Sequence, residues 1–344
     1  MNHPDRVSFL QSLRGHVGRA SRLVRLAGAA IATTAGLLGA SLPPAAAAGA
    51  PDMPLQPVAD RVWFVQGESA MGSAANQNFI SNAGIVLTDT GVVVIDALGS
   101  PALAQRLIER IREITPLPIH TVIVTHYHAD HIYGLQVFRD AGARLVAHAR
   151  ARDYIGSETA VRRLEASREE LFPWIDEHTR IEAPDLWLGE GGHDEDVTLH
   201  IGGTDFVVRH AGPAHTPEDL IVSVPARSVL FSGDLVFRQR VPYVGLADSK
   251  AWIVALDRML AFDPKVVVPG HGPVSNDPRS DLATTRDYLR YLRDAMAEAA
   301  TNLEPFDEAY ARVNWARFEK LPLFGAVNRM NAYNTYLLME QEAR

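Results

Sequence analysis

The chain has 344 residues, 47% of them hydrophobic, with a formal net charge of −8 and no cysteine. The acidic excess argues against a nucleic-acid-binding surface, which needs clustered Lys and Arg. Without cysteine there is no disulfide and no thiolate ligand, so any metal must be held by His and carboxylate.

In chain order, the first feature is an export signal. Arg14, Arg19, Arg22 and Arg25 precede the apolar run LAGAAIATTAGLLGASL, which stops at Pro43 after 17 residues, short of the ~20 that a membrane-spanning helix takes. The following PPAAAAGA offers small residues of the kind a signal peptidase accepts. The reading is a cleaved signal over residues 1–48, preferred over an uncleaved anchor. The product is then periplasmic or secreted, has no stable membrane span, and carries a charge of −12 once five Arg and one Asp are removed.

A Pro-rich lead (49–57) is followed by RVWFVQG, QNFISNAGIVLTD and GVVVIDA, β-branched and aromatic runs separated by turn residues. They are expected to be adjacent antiparallel strands. SPALAQRLIERIREI has helical spacing behind a Ser-Pro start, IHTVIVT is a buried strand, a helix is expected near 131–141, and ARLVAH is a further strand. Residues 157–182 have the charged, helical character of an inserted arm. The strands VTLHIGG, DFVVRHAG and DLIVSVPARSVLFSGD come next, then the helix SKAWIVALDRMLAF, the strand PKVVVPGHG and helices to the end. This order suggests two α/β halves packed sheet to sheet within one domain over 58–300, with 301–344 as its C-terminal helical extension.

The strand IHTVIVT runs into HYHADH. His126 and His128 are two residues apart, so an extended backbone points both to one side, while Asp130 and His131 around the turn aim at a second point. Two metals are the natural reading, and each still lacks partners. His215 in AGPAHTPED, Asp234 in VLFSGDLVF and His271 in VVVPGHG all follow strands, where loops gather function.

HYHADH, GPAHTPED, FSGDLVF and VPGHG, in that order, resemble the metallo-β-lactamase superfamily. The resemblance implies an α/β, four-layer αβ/βα sandwich with metals in a cleft at one edge of two sheets. It places His126, His128 and His215 on one zinc, Asp130, His131 and His271 on a second, and Asp234 between them. Two Zn2+ per chain are implied, with Fe or Mn as alternatives, and the chemistry is metal-assisted hydrolysis. A hydroxide bridging zincs about 3.5–4 Å apart attacks a small ester, thioester or lactam, with Asp130 as the catalytic residue that holds or accepts a proton. The aspartate in FSGD resembles the glyoxalase II pattern. The signal, the wording of these motifs and the tail VNRMNAYNTYLLMEQE look most like exported quinoprotein relay system zinc metallohydrolases and their sulfur-oxidation-cluster relatives. That likeness suggests a functional link to a periplasmic dehydrogenase beside the small-molecule substrate.

Two other functions compete. A single-iron persulfide dioxygenase would use His126, His215 and Asp234 and leave the other four groups without a duty. A metal-holding accessory protein for an exported redox system would bind without turnover. Tyr127 either touches substrate or packs against the next loop. Arg238, Arg240 and Tyr243 either bind an anionic group or belong to a solvated charged loop. His120, His148, His178, His193, His200 and His210 lack partner motifs and read as surface or packing residues. EGGHDEDV reads as an acidic turn, since it lacks the ligand order of a calcium loop. Specificity is expected in loops around 66–78, 157–182 and 236–247.

Overall fold

The computed structural model of the chain describes residues 51–192 and 196–343, so the signal segment and His193 lie outside the described residues. Strands β1 (Gln56–Ala59), β2 (Val62–Val65), β3 (Ala83–Leu87) and β4 (Val92–Ile95) form the expected antiparallel series. Helix α1 (Pro101–Arg112) starts where Ser-Pro predicts. The Ser100 hydroxyl accepts the Leu103 N–H at 3.3 Å, and Pro101 occupies a first-turn position whose N–H has no helical partner anyway. Strand β5 (Ile119–Ile123) pairs parallel with β4.

The helix expected near 131–141 is two short ones, α2 (Ala129–Ile132) and α3 (Leu135–Asp140). They break at Gly134, where a Cβ would lie 2.0 Å from the Ala97 carbonyl oxygen, so the backbone there presses directly on the segment after β4. Strand β6 (Arg144–His148), helices α4 (Arg152–Ile155) and α5 (Glu158–Glu170) and strand β7 (Leu186–Leu188) complete the first half. The arm at 157–182 is therefore helical only over α5. Pro173 cannot continue a helix, and the chain folds back, with Trp174 donating to Ala74 O at 2.8 Å. Strand β7, three residues long, is too short to have shown a pattern. Residues of the Pro-rich lead also enter the fold: Met53 is buried in the core and β1 begins at Gln56.

The second half comprises β8 (Val197–Ile201), β9 (Thr204–His210), β10 (Leu220–Val224), β11 (Val229–Phe231), α6 (Ser249–Met259), β12 (Val266–Val268), α7 (Pro278–Asn302), α8 (Phe306–Arg312) and α9 (Phe324–Glu342). The sheets run β1-β2-β3-β4-β5-β6-β7 and β12-β11-β10-β9-β8. Side chains alternate across a strand, and β4 shows the consequence. Val93 and Ile95 join a core shared with Val208, Val222 and Phe231 of the other sheet, whereas Val92 and Val94 pack with Leu103, Leu107 and Phe138 of the helices. On the far side of the second sheet, Leu230 and Val267 meet Trp252, Leu256 and Met259 of α6 and Leu289 of α7. The result is helices, sheet, sheet, helices. Strands β4 and β5 run parallel to each other, as do β11 and β12, and their C-terminal ends deliver Asp96, the HYHADH motif, Asp234 and His271. Among the described residues no helix is long and apolar enough to cross a membrane.

Candidate metal centre

The seven residues flagged in the sequence come together from loops far apart in the chain. They form two groups, His126, His128, His215 and Asp234, and Asp130, His131 and His271, with the ligand atoms of each group within 4.8 Å of one another. Asp234 reaches both. Its Oδ2 lies 3.8 Å from His126 Nε2, 3.4 Å from His215 Nε2 and 3.2 Å from His271 Nε2, and its Oδ1 lies 3.1 Å from His131 Nε2. Asp130 Oδ2 lies 3.6 Å from His131 Nε2 and 3.3 Å from His271 Nε2.

Buried polar atoms are ordinarily hydrogen-bonded, yet His126 Nε2 has no hydrogen-bond partner, and His131 Nε2 and Asp234 Oδ1 face only each other, without hydrogen-bond geometry. His215 Nε2 and His128 Nδ1 face each other at 3.0 Å. Lone pairs aimed at a common point without donors are what a cation satisfies. An all-nitrogen and oxygen set, imidazole-rich and free of sulfur, fits zinc or another borderline divalent ion.

Partners behind the rings fix their direction. Asp96, at the end of β4 with φ +64°, accepts from Thr125 N at 2.7 Å, from the Thr125 hydroxyl at 2.8 Å and from His131 Nδ1 at 2.9 Å. Thr125 Oγ1 is in turn 3.1 Å from His126 Nδ1, so one carboxylate orients a ring in each group and leaves both Nε2 atoms facing inward. His271 Nδ1 donates to Ile80 O at 2.7 Å. Asn82 donates to the carbonyls of Pro269 and Gly272 at 2.8 Å each, bracketing the His271 loop. Asp219 accepts the Thr216 N–H and hydroxyl at 2.8 Å each, which folds the turn carrying His215. At Gly270 a Cβ would lie 2.0 Å from Asp234 Oδ1, so only glycine admits the carboxylate. Sequence reasoning missed Asp96, Thr125, Asn82 and Gly270. The sole signal was the Asp in VVVIDA, just past a strand beside the one that leads into the histidines.

The surroundings of the two groups bear differently on their protons. Burial, followed by repulsion from neighbouring imidazoles, pushes His126 well below the ordinary histidine range and His215 down to about 3. Burial also lowers His128, against the pull of Asp130 and Asp234. Burial opposes the charge of His131 and His271 too, but the adjacent carboxylates, Asp234 first, outweigh it and raise both.

The remaining residues fall differently. Tyr127 is buried, and its hydroxyl donates to Glu182 O at 3.0 Å. Its ring belongs to the core beneath the motif, so packing, not substrate contact, is its role. Arg238 and Arg240 do not form a solvated loop. Arg238 donates to Pro273 O and Val274 O and pairs with Asp281 at 2.8 Å, and Arg240 is 5% exposed. Tyr243 is 36% exposed, its ring 6.2 Å from that of His128 and 6.5 Å from that of His215, at the mouth of the centre. His120, His178 and His200 are exposed, and His148 stacks on His210 at 3.7 Å. None of these five joins either ligand group.

The chain resembles known proteins. It is 26% identical over 226 residues to the 2,4-dinitroanisole O-demethylase subunit alpha of Nocardioides sp. (strain JS1661), covering 64% of this chain and 58% of that protein. It is 28% identical over 222 residues to the metallo-beta-lactamase type 2 of Bacillus sp. (strain 170), covering 62% of this chain and 75% of that protein. The fold matches the inverting sec-alkylsulfatase Pisa1 from Pseudomonas sp. with a TM-score of 0.65 at 18% identity, over 83% of this chain and 50% of that one. The chain thus spans only about half the length of two of these three relatives. The family model described as metallo-beta-lactamase superfamily matches residues 77–271, from the loop before β3 to the last histidine of the centre. With more than half its length inside that match, and the His/Asp cluster where its loops converge, the chain belongs to the metallo-beta-lactamase superfamily.

Proposed function

We propose that the protein is a dinuclear zinc hydrolase of a small ester, thioester or lactam-type substrate. The observation that supports this most directly is Asp234, whose two carboxylate oxygens face both ligand groups. One metal would be held by His126, His128 and His215, the other by Asp130, His131 and His271, with Asp234 shared. Bound zinc supplies Lewis acidity and lowers the pKa of water toward neutrality. The protein's own part is to keep both Nε2 lone pairs inward through Asp96 and Thr125. Asp130, beside His131 and His271, is held well below the ordinary carboxylate range by those rings although burial opposes it. It is therefore ionised, and its oxygens would hold the second metal or accept a hydrogen bond from water beside it. Convergence of all seven groups disfavours the single-iron dioxygenase, which would use three of them.

Relatives named as a lactamase, an O-demethylase subunit and an alkylsulfatase are compatible with hydrolytic or group-cleaving chemistry on varied substrates. The zinc-loaded protein is expected to carry two equivalents of metal and to cleave a member of a chromogenic ester, thioester and β-lactam panel. Full activity after exhaustive chelation would refute the proposal. Export and a link to a periplasmic dehydrogenase remain part of the same reading, checked by sequencing the N-terminus of the secreted form.

A further inference from the structure

We propose that Asn331 is a positioning residue for substrate: from α9 it fixes the loop that carries Tyr243 and makes that ring a rigid wall of the mouth. This deepens the hydrolase reading and rests on it. A segment without regular structure must still satisfy its backbone groups. The loop between Asp234 and α6 does so largely against the C-terminal part of the chain. Val241 N donates to Pro322 O at 3.1 Å, just ahead of α9. The Asn331 side chain donates to Pro242 O at 2.7 Å and accepts from Val244 N at 2.9 Å, so it grips the backbone on both sides of Tyr243. Asn334, one turn on, donates to Gly245 O at 2.7 Å. Gly245 has φ +53°, and a Cβ there would lie 2.9 Å from a Tyr243 ring carbon. The ring is thus packed against its own loop while its exposed face stands beside His128 and His215.

The chemistry of the position calls for an amide. Pro242 offers a carbonyl and Val244 an N–H, so the side chain between them must donate on one side and accept on the other. Aspartate would set a carboxylate against the Pro242 carbonyl, and leucine would leave both backbone groups unpaired in a buried place. Asn331 is 0% exposed, and its second N–H donates to the Tyr288 hydroxyl at 2.9 Å. Tyr288 donates in turn to Asn328 at 2.8 Å, and Asn328 donates to the Tyr310 hydroxyl at 3.0 Å. A satisfied buried network of this kind rigidifies what it holds. It ties the loop to α7, α8 and α9, all of which lie beyond the family match that ends at residue 271. Asn328 shares the network without touching the loop, which separates a stabilising amide from a positioning one. With the loop already ordered, little freedom is left to be lost when substrate meets Tyr243.

The test compares N331A, N331D, N334A and N328A with the wild type as full-length, zinc-loaded proteins of measured metal content. The substrate is p-nitrophenyl butyrate or a chromogenic cephalosporin, whichever the wild type cleaves faster. In N331A, amide exchange at Val244 should quicken about tenfold or more. KM should rise about tenfold while kcat stays within about twofold and metal content is unchanged. N331D, which keeps the bond from Val244 and loses the one to Pro242, should fall between. N334A should raise KM by about two- to threefold, and it carries the test if N331A does not fold. N328A should lower the denaturant midpoint and leave Val244 exchange and KM at their wild-type values. In a Y243A background, N331A should change KM by less than about twofold, because the ring through which it acts is gone. Wild-type exchange and KM in both N331A and N334A, an equal rise of KM in N328A, or full additivity with Y243A overturns the proposal. Absence of turnover in the zinc-loaded wild type overturns the hydrolase reading instead, while Val244 exchange, measured without substrate, still decides whether Asn331 fixes the loop.

Discussion

The two ligand groups share Asp234 and lie side by side, yet they are built differently. The first has three imidazoles, and burial together with mutual repulsion disfavours protons on all of them. The second has two imidazoles bracketed by Asp130 and Asp234, with Asp96 behind His131, and those carboxylates favour charge on both rings. Imidazole-rich sets suit zinc, and added carboxylate broadens the choice toward harder ions. The same residue type thus has its proton disfavoured in one group and favoured in the other by its surroundings, and a metal bound in the second group would have to displace that proton.

Asp234→Asn should have the largest effect, because it removes the one group common to both sides. Metal content should fall below one equivalent, and turnover should drop by the several kcal/mol that metal catalysis supplies, about 10³-fold or more. Metal analysis of the purified variant decides. Retention of two ions would mean that Asp234 does not join the groups.

His128→Ala and His271→Ala separate them. Each should lower the metal content from about two equivalents to about one, and cobalt substitution should give two different visible spectra for the surviving ions. If either variant empties both groups, the comparison of two sites gives way to a single cooperative one. Asp96→Ala should weaken metal binding about 10- to 100-fold. The loss should be greater in the second group, since His131 touches Asp96 directly and His126 does so through the Thr125 hydroxyl. Competitive chelator titration measures both steps.

The smallest effect is expected far from the centre. Burial pushes the Asp185 carboxyl up, but the Leu145 N–H at 2.8 Å and Arg139 at 2.9 Å outweigh it and hold it below its ordinary value. A depressed folded pKa contributes stability that is present above the unfolded pKa and lost as pH falls through the folded one. Asp185→Asn should therefore cost about 1 kcal/mol near neutrality, with metal content unchanged, and the gap in denaturant midpoints should close at acid pH. A change in metal content would show that the tie between β6 and β7 reaches the first group.

Much of this was legible along the chain. The strand and helix patterns from RVWFVQG to the last helix gave the layers, because alternation and capping are local: Ser100 caps α1 from three residues away. The ligand types were legible too, because each sits in a Gly- or Pro-rich loop directly after a strand. Tyr127 could not be assigned from its position inside the motif. Its hydroxyl bonds to the carbonyl of Glu182, 55 residues on, and its ring lies in a core built from both sides of the motif.

By itself, then, the sequence determined which donors are present, that sulfur is not among them, and that they follow strand ends. Only the tertiary structure decided that Asp96 steers both groups, that Gly270 makes room for Asp234, and that α9 holds the loop of Arg240 and Tyr243. The reason is the range of the interactions. Period and capping act over a few residues, whereas the bond orienting His271 spans 191 positions and those fixing the Arg240 loop span 87 and 89, separations at which no local pattern records the partner.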